Sequence, residues 1–201
     1  MASKNINVNE FFFDKWSKSY DKPLFQFWMK RFHKLVLNEL KLNENIKILD
    51  ISCGTGQLLS KLKWRAKLYG VDISQEMLRV AKRRLGDSAI LQKGDVHNLP
   101  FKDNTFDYVI STEAFHHYGD QIKALREMNR IVKNKGKVII SDINFLSRQI
   151  HWLLERFEPG CVKVNTKREM RELFERAELK PVRQKRNFLF ALMTIGVKTN
   201  P

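Results

Sequence analysis

A glycine turn, two acidic residues and a pair of histidines are where chemistry could sit in this chain. Asp50-Ile51-Ser52-Cys53-Gly54-Thr55-Gly56 closes a short apolar run that starts at Ile46, and Leu58, Leu59 and Leu62 then recur at helical spacing. Strand, glycine turn, helix is the layout in which backbone N–H groups and a helix N-terminus face a nucleotide-type ligand. Glycine serves such a turn because no Cβ stands between ligand and backbone. Asp72 follows about 20 residues on, where a carboxylate can accept hydrogen bonds from both hydroxyls of a ribose. Asp95 ends the next strand-like stretch. His116 and His117 come after a fourth apolar run, 106–111, and a histidine there can accept a proton near neutral pH.

The ligand class narrows by what is missing. A dinucleotide fingerprint needs a third glycine at position 59, which is Leu59. A phosphate loop of the Gly-x-x-x-x-Gly-Lys-Ser/Thr kind is absent. Gly54-Thr55-Gly56 with Asp72 still fits any ribose-bearing cofactor. Plainer roles exist for each residue. Asp72 could cap the following helix, but its place at a strand end beside the turn favours the ribose. Asp95 could be an ordinary turn residue. Cys53 reads as a small turn residue and not as a nucleophile. The histidines could simply pack or bond backbone.

The elements that must position these residues alternate. Strands are expected at about 46–51, 67–72, 89–92, 106–111 and 137–141, with helices at about 55–66, 74–85 and 120–132 between them. Ser74 is the expected N-cap of the second of these helices. Asn134-Lys135-Gly136 reads as a turn. An amphipathic helix over 24–42 precedes the alternation, and 10–20 reads as short-helical. After it come a helix at 145–157 stopped by Pro159-Gly160, a helix at 167–178 capped by Thr166, and two strands at 181–188 and 190–197. The last two are joined too tightly for a crossover, so they should be antiparallel. The class is α/β: a mostly parallel sheet with helices on both faces and a C-terminal antiparallel strand pair.

With 201 residues the chain suits a single domain. Four parts are expected within it: a helical N-terminal lid at 1–43, a core at 44–142, a lid insertion at 143–165, and a closing helix and strand pair at 166–201. No apolar run approaches the ~20 residues of a spanning helix, and the N-terminus lacks the apolar stretch of a signal peptide. Two cysteines are too few for a disulfide framework, so a reducing cytoplasm is expected. The net charge of +15 would suit a polyanionic partner, but the basic residues are spread along the whole chain, which favours a solvated lysine-rich surface.

The motifs together resemble the class I S-adenosylmethionine-dependent methyltransferases. Asp50-Ile51-Ser52-Cys53-Gly54-Thr55-Gly56 is similar to that family's Asp-x-Gly-x-Gly-x-Gly motif. Val71-Asp72-Ile73-Ser74 is similar to its second strand and ribose acid, and Gly94-Asp95-Val96-His97-Asn98-Leu99-Pro100-Phe101 to its adenine-contacting segment. Phe106-Asp107-Tyr108-Val109-Ile110-Ser111 and the stretch from Ala124 to Lys137 match further segments in order and spacing over about 46–142. The subgroup it looks like is the small-molecule one, related to ubiquinone and menaquinone biosynthesis enzymes; Trp16 to Asp21 fits that subgroup too. The resemblance implies a Rossmann-like sheet of seven strands. It also implies S-adenosylmethionine as cofactor and S-adenosylhomocysteine as product. Asp72 would hold the ribose. Asp95 and the Val96 backbone would meet the adenine, with Ile73 and Met77 flanking it. Asp50, Ser52, Cys53, Gly54 and Gly56 would face the methionine part, Ser111 would offer its carbonyl, and Tyr20 would close over the cofactor. Ser52 stands where the family has glycine; it can be accommodated if its φ is negative, with slight reshaping and no loss of binding expected.

A sulfonium donor is already reactive, so the protein's main task would be to align the acceptor. His116 and His117 would be the catalytic residues on the acceptor side, with Tyr118 and Glu113 as further candidates. No Asn/Asp-Pro-Pro-Tyr/Phe tetrad and no Pro-Cys pair is present, which argues against amino methylation of DNA bases and against cytosine C5 chemistry. Glu113, Asp142 and Asn144 could mimic a magnesium site, but their spacing is wrong for it and no metal is expected. The flanks at 11–42 and 145–157 are aromatic: Phe12, Phe13, Trp16, Phe25, Trp28, Trp152. They suggest a lid over a small apolar or lipid-like acceptor, with basic residues able to rest on an anionic membrane; simple covering of the sheet explains them too. Two other readings stand beside this one: a tRNA or RNA methyltransferase that uses the basic surface, and a non-catalytic S-adenosylmethionine-binding protein.

Overall fold

The computed structural model describes Asp14, residues 23–187 and residues 190–199. The elements are α1 (Pro23–Leu37), β1 (Lys47–Ile51), α2 (Gln57–Ser60), β2 (Lys67–Asp72), α3 (Gln75–Leu85), β3 (Ala89–Lys93), β4 (Phe106–Thr112), a 3-10 turn (Phe115–His117), α4 (Gln121–Ile131), β5 (Val132–Ile143), α5 (Arg148–Phe157), α6 (Lys167–Arg176), β6 (Leu179–Asn187) and β7 (Ala191–Lys198). The seven strands form one sheet in the order β3-β2-β1-β4-β5-β7-β6. β1 to β5 pair in parallel, while β7 enters antiparallel between β5 and β6.

Neighbouring residues on the central strands belong to opposite faces, and both faces are buried. Ile48, Ile110 and Ile139 pack with Phe32 of α1, Leu58 and Leu59 of α2, and Leu78, Ala81 and Leu85 of α3. Leu49, Val109 and Ile140 pack on the other side with Leu125 and Met128 of α4 and Met170 and Phe174 of α6. Burial on two sides is why these strands read as unbroken apolar runs instead of alternating ones. The sheet reverses its winding between β1 and β4, and the ends of β1, β2 and β4 open there onto the edge where ligands bind in such sheets.

Three local expectations change. The helix expected at 55–66 is one turn of α-helix, Gln57–Ser60, followed by tighter turns in which Lys61, Leu62 and Arg65 donate to carbonyls three residues back. Leu58, Leu59 and Leu62 reach the core equally well from that tighter winding. The turn expected at Asn134-Lys135-Gly136 lies inside β5, as a bulge with Lys135 at φ +64° that shifts the β4–β5 register. The helices expected at 24–42 and 145–157 are shorter, ending at Leu37 and starting at Arg148. Thr166 caps α6 as expected, with Glu169 returning a bond to the Thr166 backbone. The expectations for 10–13, for Trp16 and for Tyr20 lie outside the described residues.

Candidate cofactor and acceptor site

The turn after β1 holds three alternate residues in the left-handed region: Ser52 at φ +55°, Gly54 at +52° and Gly56 at +75°. The expectation of a negative φ at Ser52 is therefore wrong. A side chain in this region costs about 1–2 kcal/mol, and the Ser52 hydroxyl is tied down in return. It lies 3.0 Å from the Tyr118 hydroxyl, which is itself 2.9 Å from Ser111 Oγ at the end of β4. Gly56 is required twice over, since a Cβ would also stand 2.8 Å from Leu85 Cδ1. It therefore allows the close approach to α3 that a glycine at position 59 would have served in a dinucleotide site.

Asp72, at the end of β2, is clamped to this turn. The Gly54 N–H donates to Oδ2 at 2.8 Å and the Ser74 N–H to Oδ1 at 2.9 Å. Burial pushes its carboxyl up to about 6 although those N–H groups pull the other way. The Ile73 N–H bonds the same carboxylate, which still has acceptor capacity left for a ligand hydroxyl. Ser74 caps α3 as expected, accepting from the Met77 N–H at 3.1 Å, and its own hydroxyl donates to Asp14. Asp14 thus reaches the Ser74 end of this turn. The Gly94 N–H donates to the Asp72 carbonyl at 3.0 Å, which brings Asp95 and Val96 to the same edge. Asp95 Oδ1 accepts from the His97 backbone at 3.0 Å and contacts His97 Nδ1 at 2.7 Å, while a third of its side chain stays exposed. Val96 and Met77 are buried, and Ile73 is half-buried.

Asp50 sits deeper. Its Oδ1 is buried without a hydrogen-bond partner, and burial, reinforced by the charge of Asp72, pushes its carboxyl well up. It borders a narrow cleft with Met29, His33, Ser52, Gly54 and Thr112. An orphaned carboxylate oxygen there suits a cationic ligand group. The Cys53 thiol is buried and pushed far up, by burial first and then by Asp72 and Asp50, so it is inert; a Cβ on Gly70 would meet its sulfur at 2.9 Å.

Across β4 lies a second cluster. The His116 N–H donates to Asp142 Oδ2 at 2.7 Å, and His116 Nδ1 lies 2.7 Å from Asp142 Oδ1. Nε2 of the same ring is 3.5 Å from Glu158 Oε1, and His117 Nε2 is 4.0 Å from that oxygen. Burial opposes a charge on His116, but Asp142 and Glu158 outweigh it and raise the ring to about 10. Burial and the neighbouring His116 lower His117 to about 4. Of the two, His117 is the one that is neutral near pH 7. Glu158, at the end of α5, was missed from the sequence, and Asp142 was considered only as a magnesium ligand. The Pro159-Gly160 stop beside Glu158 was the available signal. Glu113, at φ +51°, donates its N–H to the Ser141 carbonyl.

The family model described as a methyltransferase domain matches residues 49–140. An uncharacterized methyltransferase of Anoxybacillus flavithermus is 31% identical over 147 residues, covering 69% of each chain. The chain belongs to the class I S-adenosylmethionine-dependent methyltransferases. A demethylmenaquinone methyltransferase of Thermotoga maritima is 37% identical over 119 residues, 58% of this chain and 50% of that protein, so the match spans half the relative's length. The fold is that of a Haloferax volcanii methyltransferase in complex with the Trm112 activator, with a TM-score of 0.82 at 22% identity over 94% of this chain and 98% of that one. S-adenosylmethionine is the cofactor of this family, and the site's residues fit it. A doubly engaged carboxylate stands where a ribose would lie, glycine backbone lies beside it, and an unpartnered buried carboxylate oxygen borders the cleft beyond.

Proposed function

We propose that the chain transfers a methyl group from S-adenosylmethionine to a small apolar or lipid-like acceptor of the quinol kind. The observation that carries the reading is the turn itself: three alternate left-handed residues with the Gly54 N–H donating to the buried Asp72. When bound, the cofactor supplies a methyl group on a sulfonium. Asp72 and Ile73 hold the ribose. Asp95, the Val96 backbone and Met77 frame the adenine. Asp50, Ser52, Cys53, Gly54, Gly56 and Ser111 surround the methionine part, with Tyr20 closing over it. His116 and His117 face the acceptor, and removal of an acceptor proton falls to His117, the ring that is neutral near pH 7.

The acceptor class is supported by the similarity to demethylmenaquinone methyltransferases and by the outer face of α5. Trp152, Leu153 and Phe157 there, and Leu146 just before the helix, are half or more exposed, beside Arg148 and Arg156. Among the described residues no helix is long and apolar enough to cross a membrane. An amphipathic helix of this kind can instead lie on an anionic surface, and we assign that peripheral contact to α5. Donor turnover with a demethylated quinol, a fatty acid, a thiol and tRNA tests the acceptor: turnover with the quinol is expected, and turnover with tRNA alone overturns it. Co-sedimentation with phosphatidylglycerol vesicles, lost in Trp152→Glu, tests the membrane contact; no binding at low salt sinks it.

A further inference from the structure

We propose that His116, His117 and Glu158 form a binding site for a divalent transition-metal ion of the zinc type, with one coordination position open toward the acceptor. One ligand atom from each residue lies within 4.8 Å of the others. His116 Nε2 and His117 Nε2 stand 3.5 and 4.0 Å from Glu158 Oε1. Around a tetrahedral ion with ligands at ~2.0–2.1 Å, neighbouring ligand atoms lie roughly 3.3 Å apart. The two edges to Glu158 therefore need to close by about 0.2 and 0.7 Å, and the edge between the two rings by at most about 1.5 Å. The two rings come from adjacent residues of one 3-10 turn, with centroids 4.1 Å apart, so they present their edges to the same carboxylate.

Two independent features point to an ion. His116 is 2% exposed, yet its Nε2 reaches only a long 3.5 Å contact to Glu158 Oε1, and Glu158 Oε2 is buried without a hydrogen bond. Buried polar atoms are rarely left so. Behind the ring, Asp142 accepts the His116 backbone N–H and faces Nδ1, so it can hold the proton on Nδ1 while an arriving ion displaces the one on Nε2, whose lone pair then points toward Glu158. That is the carboxylate–histidine–metal arrangement in which the outer carboxylate orients the ligand. Two imidazoles and one carboxylate are the donor set of zinc sites that keep an open position. Imidazole nitrogen also selects against magnesium and calcium, which take oxygen. The set differs from the Glu113, Asp142 and Asn144 combination considered from the sequence.

The site sits beyond the ends of β4 and β5, where Val162 and Lys163 N–H groups donate to the His116 carbonyl and hold the loop after α5 in place. An ion there would bind Glu158 to the sheet and lower the pKa of a hydroxyl coordinated at the open position. The coordinated hydroxyl would then release its proton to water near neutral pH, in place of the transfer to a histidine assigned above. The ion's binding does not depend on which acceptor is used.

The test is calorimetry of Zn²⁺ and visible absorption of Co²⁺ on the full chain without an affinity tag, after dialysis against a chelator. One ion per chain with the intense spectrum of four-coordinate Co²⁺ is expected. His117→Ala and Glu158→Gln should lose at least 100-fold in affinity, and Asp142→Asn roughly 10–100-fold. Circular dichroism and S-adenosylhomocysteine binding check that each variant is folded, and Glu158→Gln, with a third of its side chain exposed, is the variant least able to disturb the fold. No stoichiometric ion, or an ion held equally by folded Glu158→Gln and His117→Ala, overturns the proposal. A chain that binds Zn²⁺ here but never S-adenosylhomocysteine would leave the metal site standing and overturn the methyl-transfer reading.

Discussion

Replacing Asp72 by asparagine should make the protein's stability less sensitive to pH. Burial lifts this carboxyl from its ordinary 3.8 to about 6 in the folded chain, against the pull of the Ser74 and Gly54 N–H groups. The folded state therefore holds the proton more tightly than the unfolded one. Stability is fully present below about pH 4, falls as pH rises, and the loss is complete above about pH 6. At 1.36 kcal/mol per unit the loss is about 3 kcal/mol. Asparagine carries no charge, but its amide must turn an N–H₂ toward one of the two backbone donors, at a cost of about 1–3 kcal/mol. Asp72→Asn should thus be the less stable protein at pH 4 and gain on the native chain by about 3 kcal/mol between pH 4 and 7. Relief of Asp50, whose carboxyl the Asp72 charge also raises, acts in the same direction. Urea unfolding of both proteins at unit steps from pH 4 to 8 measures the difference directly, provided the m-values agree. A difference that stays constant across that range would refute the buried, strained carboxylate on which the proposed ribose site rests.

Gly56→Ala should cost about 2–4 kcal/mol, the sum of a left-handed side chain and a methyl forced against Leu85, read as a drop in urea midpoint. Ser52→Gly should change stability by less than about 1 kcal/mol, because relief at φ +55° offsets the lost bond to Tyr118. Tyr118→Phe leaves the Ser52 and Ser111 hydroxyls without that shared partner and should lose about 1–3 kcal/mol in the same assay. Thr166→Ala removes half of the capping box of α6 and should lower stability by about 1 kcal/mol in thermal unfolding.

The sheet was legible because its signals are local and repeated. Each parallel strand is a short apolar run, each crossover helix carries its own periodicity, and Ser74 and Thr166 mark helix starts by residue type. The edge proposed for the cofactor was marked in the same way, since Asp72 ends β2 and Gly54, Gly56 and Asp95 lie in the turns just after β1 and β3. What the sequence hid depends on distance along the chain. Nothing local tells that the Tyr118 hydroxyl would bridge Ser52 and Ser111, 66 and 7 residues away. Nothing local joins His116 to Asp142, 26 residues on, or to Glu158 beyond it. Helix α2 was overcalled because three leucines at positions 58, 59 and 62 satisfy a tight winding as well as an α-helical one. Ser52 was misjudged because backbone conformation at a motif position can persist when the glycine that favours it is replaced.

The most direct measurement is calorimetric titration of S-adenosylhomocysteine into the full chain and into Asp72→Ala. One-to-one binding to the native chain, weakened at least tenfold in a folded Asp72→Ala, is the predicted result. A folded native chain that takes up no S-adenosylhomocysteine, or a variant that binds it as tightly, would contradict the cofactor site at the end of β1 and β2.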